Sequence, residues 1–391
     1  MNILIFEDDF EKKLLVERVI KDMDVGADII HAAHFQDFMK NVYGRKFDLI
    51  VADLIAPQFK GYEAIDLTQN IIEAVRAPDS INLLTSVLAL TRYDDKAEAN
   101  FKGLNIKDIS VVTFSENVDE WQDSLRSKVV SCMPPITFDF IVVCALAKEV
   151  DGFIEAGYEV GYAENISGLE CRRINIGEKH GAIVKLPRMG LVTCSIISTL
   201  AIEIFKPKLI CMSGICAGIE GKANIYDVII PDACHQHDNG KWSEKGLEPE
   251  VYNVLIPSDV RLSISSVLTN PAFLSAVTDN VKFNRSEIPL DVEQPNVRIS
   301  LAPASSGSAV IASTEMAHVI KEQHRKNTAF EMESYALYEA ARLSRIQPKY
   351  FSAKAVVDDG GETKGDNYHR AACIISAKTV FNLILRNVGF S

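Results

Sequence analysis

The stretch MNILIFEDD, residues 1–9, is an almost wholly apolar run that ends in three acids. Such a run is typical of a buried parallel strand and predicts a strand over 2–6. Similar runs and helical spacings follow it, and they predict strands at 27–32, 47–51, 83–90 and 110–114 and helices at 12–23, 70–75 and 121–130. Strands that alternate with helices predict an α/β domain with a doubly wound, five-stranded parallel sheet.

Acids and a hydroxyl follow several of these strands: Glu7 and Asp8 the first, Asp53 the third and Thr91 the fourth. In doubly wound sheets the site lies beyond the carboxyl ends of the strands. Three carboxylates this close repel one another unless a cation lies among them. The pattern therefore predicts a Mg²⁺ site formed by Glu7, Asp8 and Asp53, in which Asp53 could act as a nucleophile toward a phosphoryl group.

Over residues 1 to about 125 the pattern resembles the response-regulator receiver family. The shared features are the acid pair, the phosphoacceptor Asp53, the turn from Pro57 to Gly61 and the hydroxyl switch Thr91. The resemblance implies bound Mg²⁺ and phosphorylation of Asp53 by a sensor histidine kinase or a phosphotransfer protein. One position departs from the family, because Thr113 stands where the family has a lysine. The alternative is a receiver fold used only for docking or dimerisation.

Pro134 and Pro135 mark the boundary between two domains, because they cannot continue the predicted helix before them. A new apolar run, FDFIVVCAL, begins almost directly afterwards. We therefore expect a first domain at 1–130, a linker at 131–137 and a second domain at 138–391, with both domains of ordinary size.

The composition excludes several classes of protein. The 391 residues include 41 Lys+Arg and 53 Asp+Glu, a formal net charge of −12, which makes a poor partner for a nucleic-acid backbone. No apolar run has the length of a transmembrane helix, and the acidic start does not resemble a signal peptide. The eight cysteines form no C-x-x-C pair. We expect a cytoplasmic protein with reduced thiols, no nucleic-acid partner and no membrane association.

The second domain alternates in the same way, with strands predicted at 138–146, 209–214, 228–231 and 351–357 and helices at 193–205, 314–323, 334–343 and 370–385. This pattern predicts a second α/β domain. The segment from Ser213 to Gly218, SGICAG, is predicted as a turn that follows its strand and lets a ligand approach the backbone.

Four acids of this domain stand in apolar surroundings. Glu149 follows the first strand, Glu331 and Glu333 bracket Met332 in AFEMES, and Asp358 ends the last strand. Strand ends are where α/β sites lie. One such acid is most often a helix cap or a solvated turn residue, but acids at three separate places of the fold indicate a shared site.

Residues 138–388 resemble the nucleoside phosphorylase superfamily, especially its hydrolytic branch, typified by methylthioadenosine/S-adenosylhomocysteine nucleosidase. ALAKEV is similar to A-M-x-x-E-V, MSGICAGI to T-G-S-A-G-G, NIYDVIIPD to G-D-V-V-V-P-D, FEMES to V-E-M-E and KAVVDD to R-x-x-S-D. The resemblance implies an α/β domain with a mixed central sheet. It also implies a homo-oligomer, since relatives of this domain form dimers or hexamers.

The resemblance assigns roles to three acids. Asp358 matches the acid that protonates a purine at N7, which requires a pKa raised by burial. Glu333 matches the carboxylate that bonds the ribose hydroxyls and favours positive charge on the sugar. Glu149 matches the carboxylate that holds the attacking water beneath C1′. No cofactor is required for glycosidic cleavage.

Other residues of the same motifs are expected to bind the substrate. Met332 would pack beside the sugar or base, and the loop containing Ser308 and Val310 matches the one that lines the base pocket. Cations near the motifs, Lys148 among them, are candidates for binding a phosphate chain. The remaining expected substrate-binding residues are Glu331, Gly214, Ile215, Arg188 and Lys354.

Water is favoured over phosphate as the attacking group. The family's phosphorylases carry arginines in a G-D-P-x-R loop and just before the G-S-C-G turn, whereas CALAKEV and MSGICAG carry none. Glu149 would also repel phosphate. A methylthioadenosine/S-adenosylhomocysteine nucleosidase and a purine nucleoside phosphorylase remain the enzymatic alternatives.

The pairing of the two domains resembles the effectors of Detocs-type defence against bacteriophage. That resemblance implies an adenine nucleotide substrate, ATP, which is split into adenine and ribose 5-triphosphate under the control of phosphorylation at Asp53. The non-enzymatic alternative is a two-component adaptor whose second domain only binds a nucleoside.

Overall fold

The computed structural model describes residues 1–92, 102–116, 118–244, 246–290, 292–361 and 366–390. The chain divides into two compact units, Met1–Pro135 and Ile136–Ser391. The division falls inside the 131–137 segment that the two prolines mark. Within the described residues, no helix is both long and apolar enough to cross a membrane.

The first unit is built on a five-stranded parallel sheet with the strand order β2-β1-β3-β6-β7. This is a doubly wound order, as the alternation of strands and helices predicts. The strands are β1 Asn2–Phe6, β2 Asp28–Ala32, β3 Leu49–Ala52, β6 Ser86–Thr91 and β7 Ile109–Thr113, with a hairpin of β4 Ile55–Pro57 and β5 Ala64–Asp66. The helices are α1 Phe10–Met23, α2 Phe35–Gly44, α3 Thr68–Arg76, α4 at 102–106 and α5 Glu120–Cys132.

Local chemistry explains where α1 begins. Asp9 is its N-cap, and its side chain accepts hydrogen bonds from the backbone amides of Glu11 and Lys12 at 2.8 and 3.1 Å. The helix therefore begins two residues before the predicted range. Helix α2 is absent from the sequence prediction, although its buried Phe35, Phe38 and Val42 follow helical spacing.

The second unit contains a twelve-stranded mixed sheet, which agrees with the predicted fold class. Its central path runs β17-β14-β19-β20-β12-β8-β11-β10-β9, and β21 pairs with β12 and β13. The strands are β8 Phe140–Cys144, β9 Glu164–Ile166, β10 Leu169–Ile176, β11 Lys179–Lys185, β12 Leu209–Gly218, β13 Val228–Ile230, β14 Ala233–Gln236, β17 Val254–Leu255, β18 Ile299–Leu301, β19 Ala304–Ser306, β20 Ala329–Glu331 and β21 Lys349–Asp358, and β15 Gly240–Ser243 pairs apart with β16 Gly246–Pro249.

Helices cover this sheet, and three of them contribute to the site described below. These three are α6 Ala147–Glu155, α11 Ser334–Leu343 and α12 His369–Leu385. The others are α7 Leu191–Phe205, α8 Ser258–Leu268, α9 Pro271–Thr278 and α10 Thr314–Gln323. Helix α12 is buried along nearly its whole length, because small and apolar residues allow it to pack against β12 and β21.

The predicted turn at Ser213–Gly218 is wrong. These residues continue β12, which pairs with β21 from Leu209 as far as Ala217. The pairing shifts at its end: Cys216 lies opposite Val356, but Ala217 lies opposite Asp358. Val357 is thus an extra residue on β21, a β-bulge of the kind that redirects a side chain beside a site.

Candidate active site

Three of the predicted acids, Glu149, Glu333 and Asp358, line one cavity in the second unit. The cavity has a volume of about 380 Å³ and lies at the carboxyl ends of β8, β12 and β21. Its walls are mostly apolar, with the charged groups gathered on part of the lining. The other lining residues are Ala145, Leu146, Lys148, Met189, Ile215, Cys216, Ala217, Ala309, Val310, Ile311, Phe330, Glu331, Met332, Val357, Asp366 and His369.

Glu149 is held in place by backbone amides. It lies in the first turn of α6, where its Oε2 accepts hydrogen bonds from the amides of Ala145 at 2.6 Å and Leu146 at 3.0 Å. Its Oε1 accepts a third bond from the amide of Ile215 at 3.1 Å. Burial raises the pKa of Glu149 to about 6, against the opposing effect of the nearby Lys354 charge. Glu149 is thus a fixed carboxylate able to exchange a proton near neutral pH.

Because Gly214 has no side chain, the Glu149 and Lys354 side chains can pack together beside the cavity. A Cβ atom at position 214 would overlap the Glu149 carboxylate and lie 3.1 Å from Lys354 Nζ. Gly214 therefore makes room for the charged pair and is not among the described lining residues of the cavity. The structure thus gives Gly214 a packing role in the site, and its contact with a substrate stays a prediction.

Lys354 is buried inside β21, and its Nζ lies 3.1 Å from both Glu331 Oε2 and Glu333 Oε2. Burial alone would lower its pKa, but the carboxylates of Glu333, Glu331 and Glu149 raise it well above the ordinary value. The lysine therefore keeps its charge and allows several carboxylates to share one apolar interior. Lys354 is not among the described lining residues of the cavity, and its contact with a substrate stays a prediction.

Glu331 and Glu333 have different surroundings. Glu331 accepts hydrogen bonds from the Ser306 hydroxyl and from the amides of Glu333 and Ser334, so its oxygens are occupied by the protein. Glu333 accepts hydrogen bonds from the Gly190 amide at 3.0 Å and from Lys354 Nζ at 3.1 Å. Burial and the neighbouring Glu331 raise the pKa of Glu333, and Lys354 opposes them. Glu331 thus orients the segment, while Glu333 faces the cavity.

Asp358 reaches the cavity because of the bulge at Val357. It is half-buried at the end of β21, and its Oδ1 accepts a hydrogen bond from the Gly360 amide at 2.8 Å. Asp358 also borders a second cavity of about 660 Å³, which Val356, Asp359 and Arg298 help to line. The aspartate therefore stands in a wall between two cavities.

The other predicted substrate-binding residues divide into two groups. Met332, Ile215 and Val310 line the cavity. Ser308 and Arg188 are exposed and are not among its described lining residues: the Ser308 amide donates to Asp238 at 2.6 Å, and the Arg188 guanidinium donates to the Thr193 hydroxyl at 3.2 Å.

Charged residues at the rim complete the site. Lys148 contacts the His369 ring and lies 3.4 Å from Asp366, and His369 lies 2.7 Å from the same aspartate. Sequence reasoning named Lys148 as a cation candidate but missed His369. His369 is the first residue of α12, and its position at the start of a long apolar helix was the available signal.

The acids of the first unit surround a lysine. Lys12 Nζ lies 2.6 Å from Glu7 Oε2 and 2.5 Å from Asp53 Oδ2, and it donates to the Leu90 carbonyl at 2.7 Å. Glu7 and Asp53 are buried, whereas Asp8 is exposed. Burial raises the pKa of Glu7 to about 7, with Lys12 opposing. Thr91 is buried at the end of β6, and Thr113 is exposed at the end of β7.

The second unit is similar in sequence to known proteins. Residues 139–388 match the family model of the Phosphorylase superfamily. A protein of Sinorhizobium fredii designated y4jS is 24% identical over 422 aligned positions that span the whole of both chains. The ATP nucleosidase Cap17 of Escherichia coli is 23% identical over 208 residues, which are 51% of this chain and 40% of Cap17.

One solved structure shows the same fold. It is a methylthioadenosine/S-adenosylhomocysteine nucleosidase from Colwellia psychrerythraea in complex with adenine, with a TM-score of 0.51 and 14% identity, and the match covers 65% of this chain and 97% of that one. The α/β fold, the cavity lined by buried carboxylates at strand ends and the family match together define the class of this unit. The chain belongs to the Phosphorylase superfamily.

Proposed function

We propose that the second unit hydrolyses the N-glycosidic bond of an adenine nucleotide, with ATP as its substrate and adenine and ribose 5-triphosphate as products. The observation that carries the proposal is the single cavity onto which Glu149, Glu333 and Asp358 all open. Each carboxyl group meets a separate need of the reaction.

Cleavage develops positive charge on the sugar and negative charge on the departing purine. Asp358, at one wall, protonates the base at N7 as the bond breaks. Glu333 accepts hydrogen bonds from the ribose hydroxyls and stabilises the oxocarbenium-like sugar. Glu149 binds the water that attacks C1′ and takes its proton, so the backbone amides that fix its carboxylate also fix the water.

The charges of the cavity favour water over phosphate. Its described lining residues include three glutamates, two aspartates and no arginine. A phosphate dianion beneath the sugar would lie against Glu149 and Glu333, whereas water can donate hydrogen bonds to both. The described lining residues thus offer no guanidinium that would hold phosphate beneath the sugar for a phosphorolytic reaction.

Lys148 and His369 support a nucleotide over a nucleoside. Both line the cavity, and the partly exposed Lys148 ammonium would contact the phosphates of a 5′ substituent. The relatives named ATP nucleosidases point to the same substrate. The resemblance to Detocs effectors extends the proposal to a defence role, in which the first unit controls the destruction of ATP.

Methylthioadenosine is the second candidate substrate. Met189, Val310 and Ile311 supply an apolar surface on the same cavity, and an apolar surface suits a methylthio group better than a triphosphate. The two candidates differ only in the 5′ substituent, so they share the proposed acid, sugar contacts and water.

Chromatography of the products tests the proposal. The full-length protein is incubated with ATP, AMP, adenosine or methylthioadenosine, with and without inorganic phosphate. We expect adenine from ATP at a rate that phosphate does not change. Intact ATP alongside cleaved methylthioadenosine would favour the second candidate, a phosphate requirement would exclude hydrolysis, and no adenine from any substrate would leave only the nucleoside-binding adaptor. Mass measurement of the same sample tests the expected homo-oligomer.

A further inference from the structure

We propose that Lys12 is the resident cation of the acidic pocket in the first unit, and that this pocket therefore does not bind the Mg²⁺ that the receiver resemblance implies. The inference concerns Glu7, Asp8 and Asp53, the three predicted metal ligands. It is independent of the reaction proposed for the second unit.

The Lys12 ammonium uses all of its hydrogen-bonding capacity inside the pocket. An ammonium has three N–H donors and no acceptor. Its three acceptors here are Glu7 Oε2 at 2.6 Å, Asp53 Oδ2 at 2.5 Å and the Leu90 carbonyl at 2.7 Å. The side chain is 1% exposed, and its Nζ also lies 5.3 Å from the centre of the Phe114 ring. A lysine bound in this way is fixed.

The carboxylate oxygens are occupied as well. Glu7 Oε1 accepts from the Asp9 amide at 3.0 Å, and Asp53 Oδ1 accepts from the Ile55 amide at 3.0 Å. The second oxygen of each group faces Lys12. Mg²⁺ demands near-ideal octahedral geometry with oxygen ligands, so it would have to displace the ammonium or share an oxygen with it.

Electrostatics oppose the sharing of this site. A divalent ion bound to Asp53 Oδ2 would lie beside the ammonium in an interior of low dielectric, where like charges repel strongly. Asp8, the third predicted ligand, is exposed, so it lies outside the buried part of this cluster. Within the described parts of the chain, no group of three His, Cys, Asp or Glu side chains is arranged to hold a metal ion.

Lys12 also accounts for the departure at Thr113. The receiver family supplies a positive charge from the end of the last strand, where this chain has an exposed threonine. Here the charge comes from the first turn of α1, which Asp9 caps. Without a metal, Asp53 lacks the ion that phosphoryl transfer to a carboxylate requires in that family. The inference thus makes the first unit a receiver-like fold whose acidic pocket is neutralised by its own lysine.

Electron paramagnetic resonance of Mn²⁺ with the full-length protein tests the inference, because Mn²⁺ takes the same oxygen ligands as Mg²⁺ and its bound and free forms give different signals. We expect the wild type and Asp53→Asn to bind Mn²⁺ equally, because the wild type has no Mn²⁺ site at Asp53. Lys12→Met should create a Mn²⁺ site whose affinity exceeds any residual Mn²⁺ binding of the wild type by about tenfold or more, since carboxylate charge sets the affinity of such sites.

Lys13→Met is the matched control. Lys13 is the next residue on the same helix, and it forms an ion pair with Glu17 at 2.8 Å. This variant should bind Mn²⁺ no better than the wild type. A wild-type Mn²⁺ site that disappears in Asp53→Asn would overturn the inference, and this result does not depend on whether Lys12→Met folds. A soluble Lys12→Met without Mn²⁺ binding would also overturn it.

Discussion

Lys12 in the first unit and Lys354 in the second are each 1% exposed, and each contacts two buried carboxylates at the edge of a sheet. Their surroundings differ. The acids beside Lys12 have every carboxylate oxygen bonded to the protein. The acids beside Lys354 line a cavity of about 380 Å³. The first cluster is closed, and the second is open to a ligand.

This difference shows that a buried lysine among acids can have either a structural role or a role in a binding site. In a closed cluster the ion pairs hold the fold together, and removing one partner leaves buried charge. In an open cluster the lysine lets several carboxylates remain beside a space that a substrate can enter. Gly214 is the physical source of this arrangement, because it lacks the side chain that would displace Glu149.

Matched substitutions of one acid in each cluster give the largest expected contrast. Asp358→Asn should lower the rate of adenine release by about 10³-fold, because the amide cannot protonate the purine. Asp53→Asn should leave the basal rate unchanged within about twofold, because this acid lies in the closed cluster. Adenine release by both purified proteins checks the pair, and equal rates would remove the distinction between the clusters.

Lys12→Met should destabilise the first unit by about 3–5 kcal/mol, since Glu7 and Asp53 would lose their shared cation. Urea unfolding followed by Trp121 fluorescence measures this, in a background where the exposed Trp242 is replaced by phenylalanine. Trp121 packs on Phe114 with ring centres 4.9 Å apart.

Lys13→Met, the control for the stability measurement, should change the free energy of unfolding by less than about 1 kcal/mol, because it removes one i,i+4 ion pair within a helix. If Lys12→Met were no more destabilising than this control, the closed cluster would not be a structural element.

Gly214→Ala should lower the catalytic rate by about 10²-fold, because the new methyl group overlaps the Glu149 carboxylate and displaces the attacking water. Gly44→Ala is the matched control, since nothing lies within 4 Å of a Cβ at that position. Initial rates and circular dichroism of both variants separate loss of activity from loss of fold. Full activity of Gly214→Ala would show that catalysis does not depend on the present position of the Glu149 carboxylate.

Activity should fall as the pH drops below about 6. Burial raises the pKa of Glu149 from its ordinary 4.5 to about 6, and only the ionised carboxylate can accept a proton from water. Activity is therefore present above this pH and lost below it. Infrared difference titration of wild type against Glu149→Gln reads the carboxyl group itself, free of the ionisation of ATP. A carboxyl band that titrates near 4.5 would contradict the prediction.

The smallest effect is expected at the rim. Lys148→Ala should raise KM for ATP by about tenfold, because it removes one partly exposed charge contact. It should change KM for methylthioadenosine little. Lys208→Ala is the control, because Lys208 forms a comparable ion pair with Asp139 and is not among the described cavity residues. Steady-state kinetics with both substrates distinguish a phosphate contact from a general effect.

The fold class was predictable because the apolar runs and helical spacings are local signals, and the structure confirms both α/β units. The acids of the cavity were also visible, since they end strands or interrupt apolar segments. The extension of β12 through SGICAG was not, because two glycines in six residues indicate a turn unless a neighbouring strand is known.

Lys12 shows the limit of reading a sequence. Its place at the start of a helix was evident, but its partners Asp53 and Leu90 lie 41 and 78 residues away. Only the folded sheet brings these groups together. The same holds for Lys354, where β21 carries the lysine beneath acids from β20 and the segment after it.

The bulge at Val357 has a consequence for how this domain tolerates change. Side chains alternate between the two faces of a strand, so one added residue decides which face carries the next side chain. The face of β21 on which Asp358 lies thus depends on the number of residues in the strand. Conservative replacements of Val357 should preserve that face, whereas insertions or deletions beside Val357 should not. The number of residues in that segment, rather than the chemistry of the Val357 side chain, sets the position of Asp358.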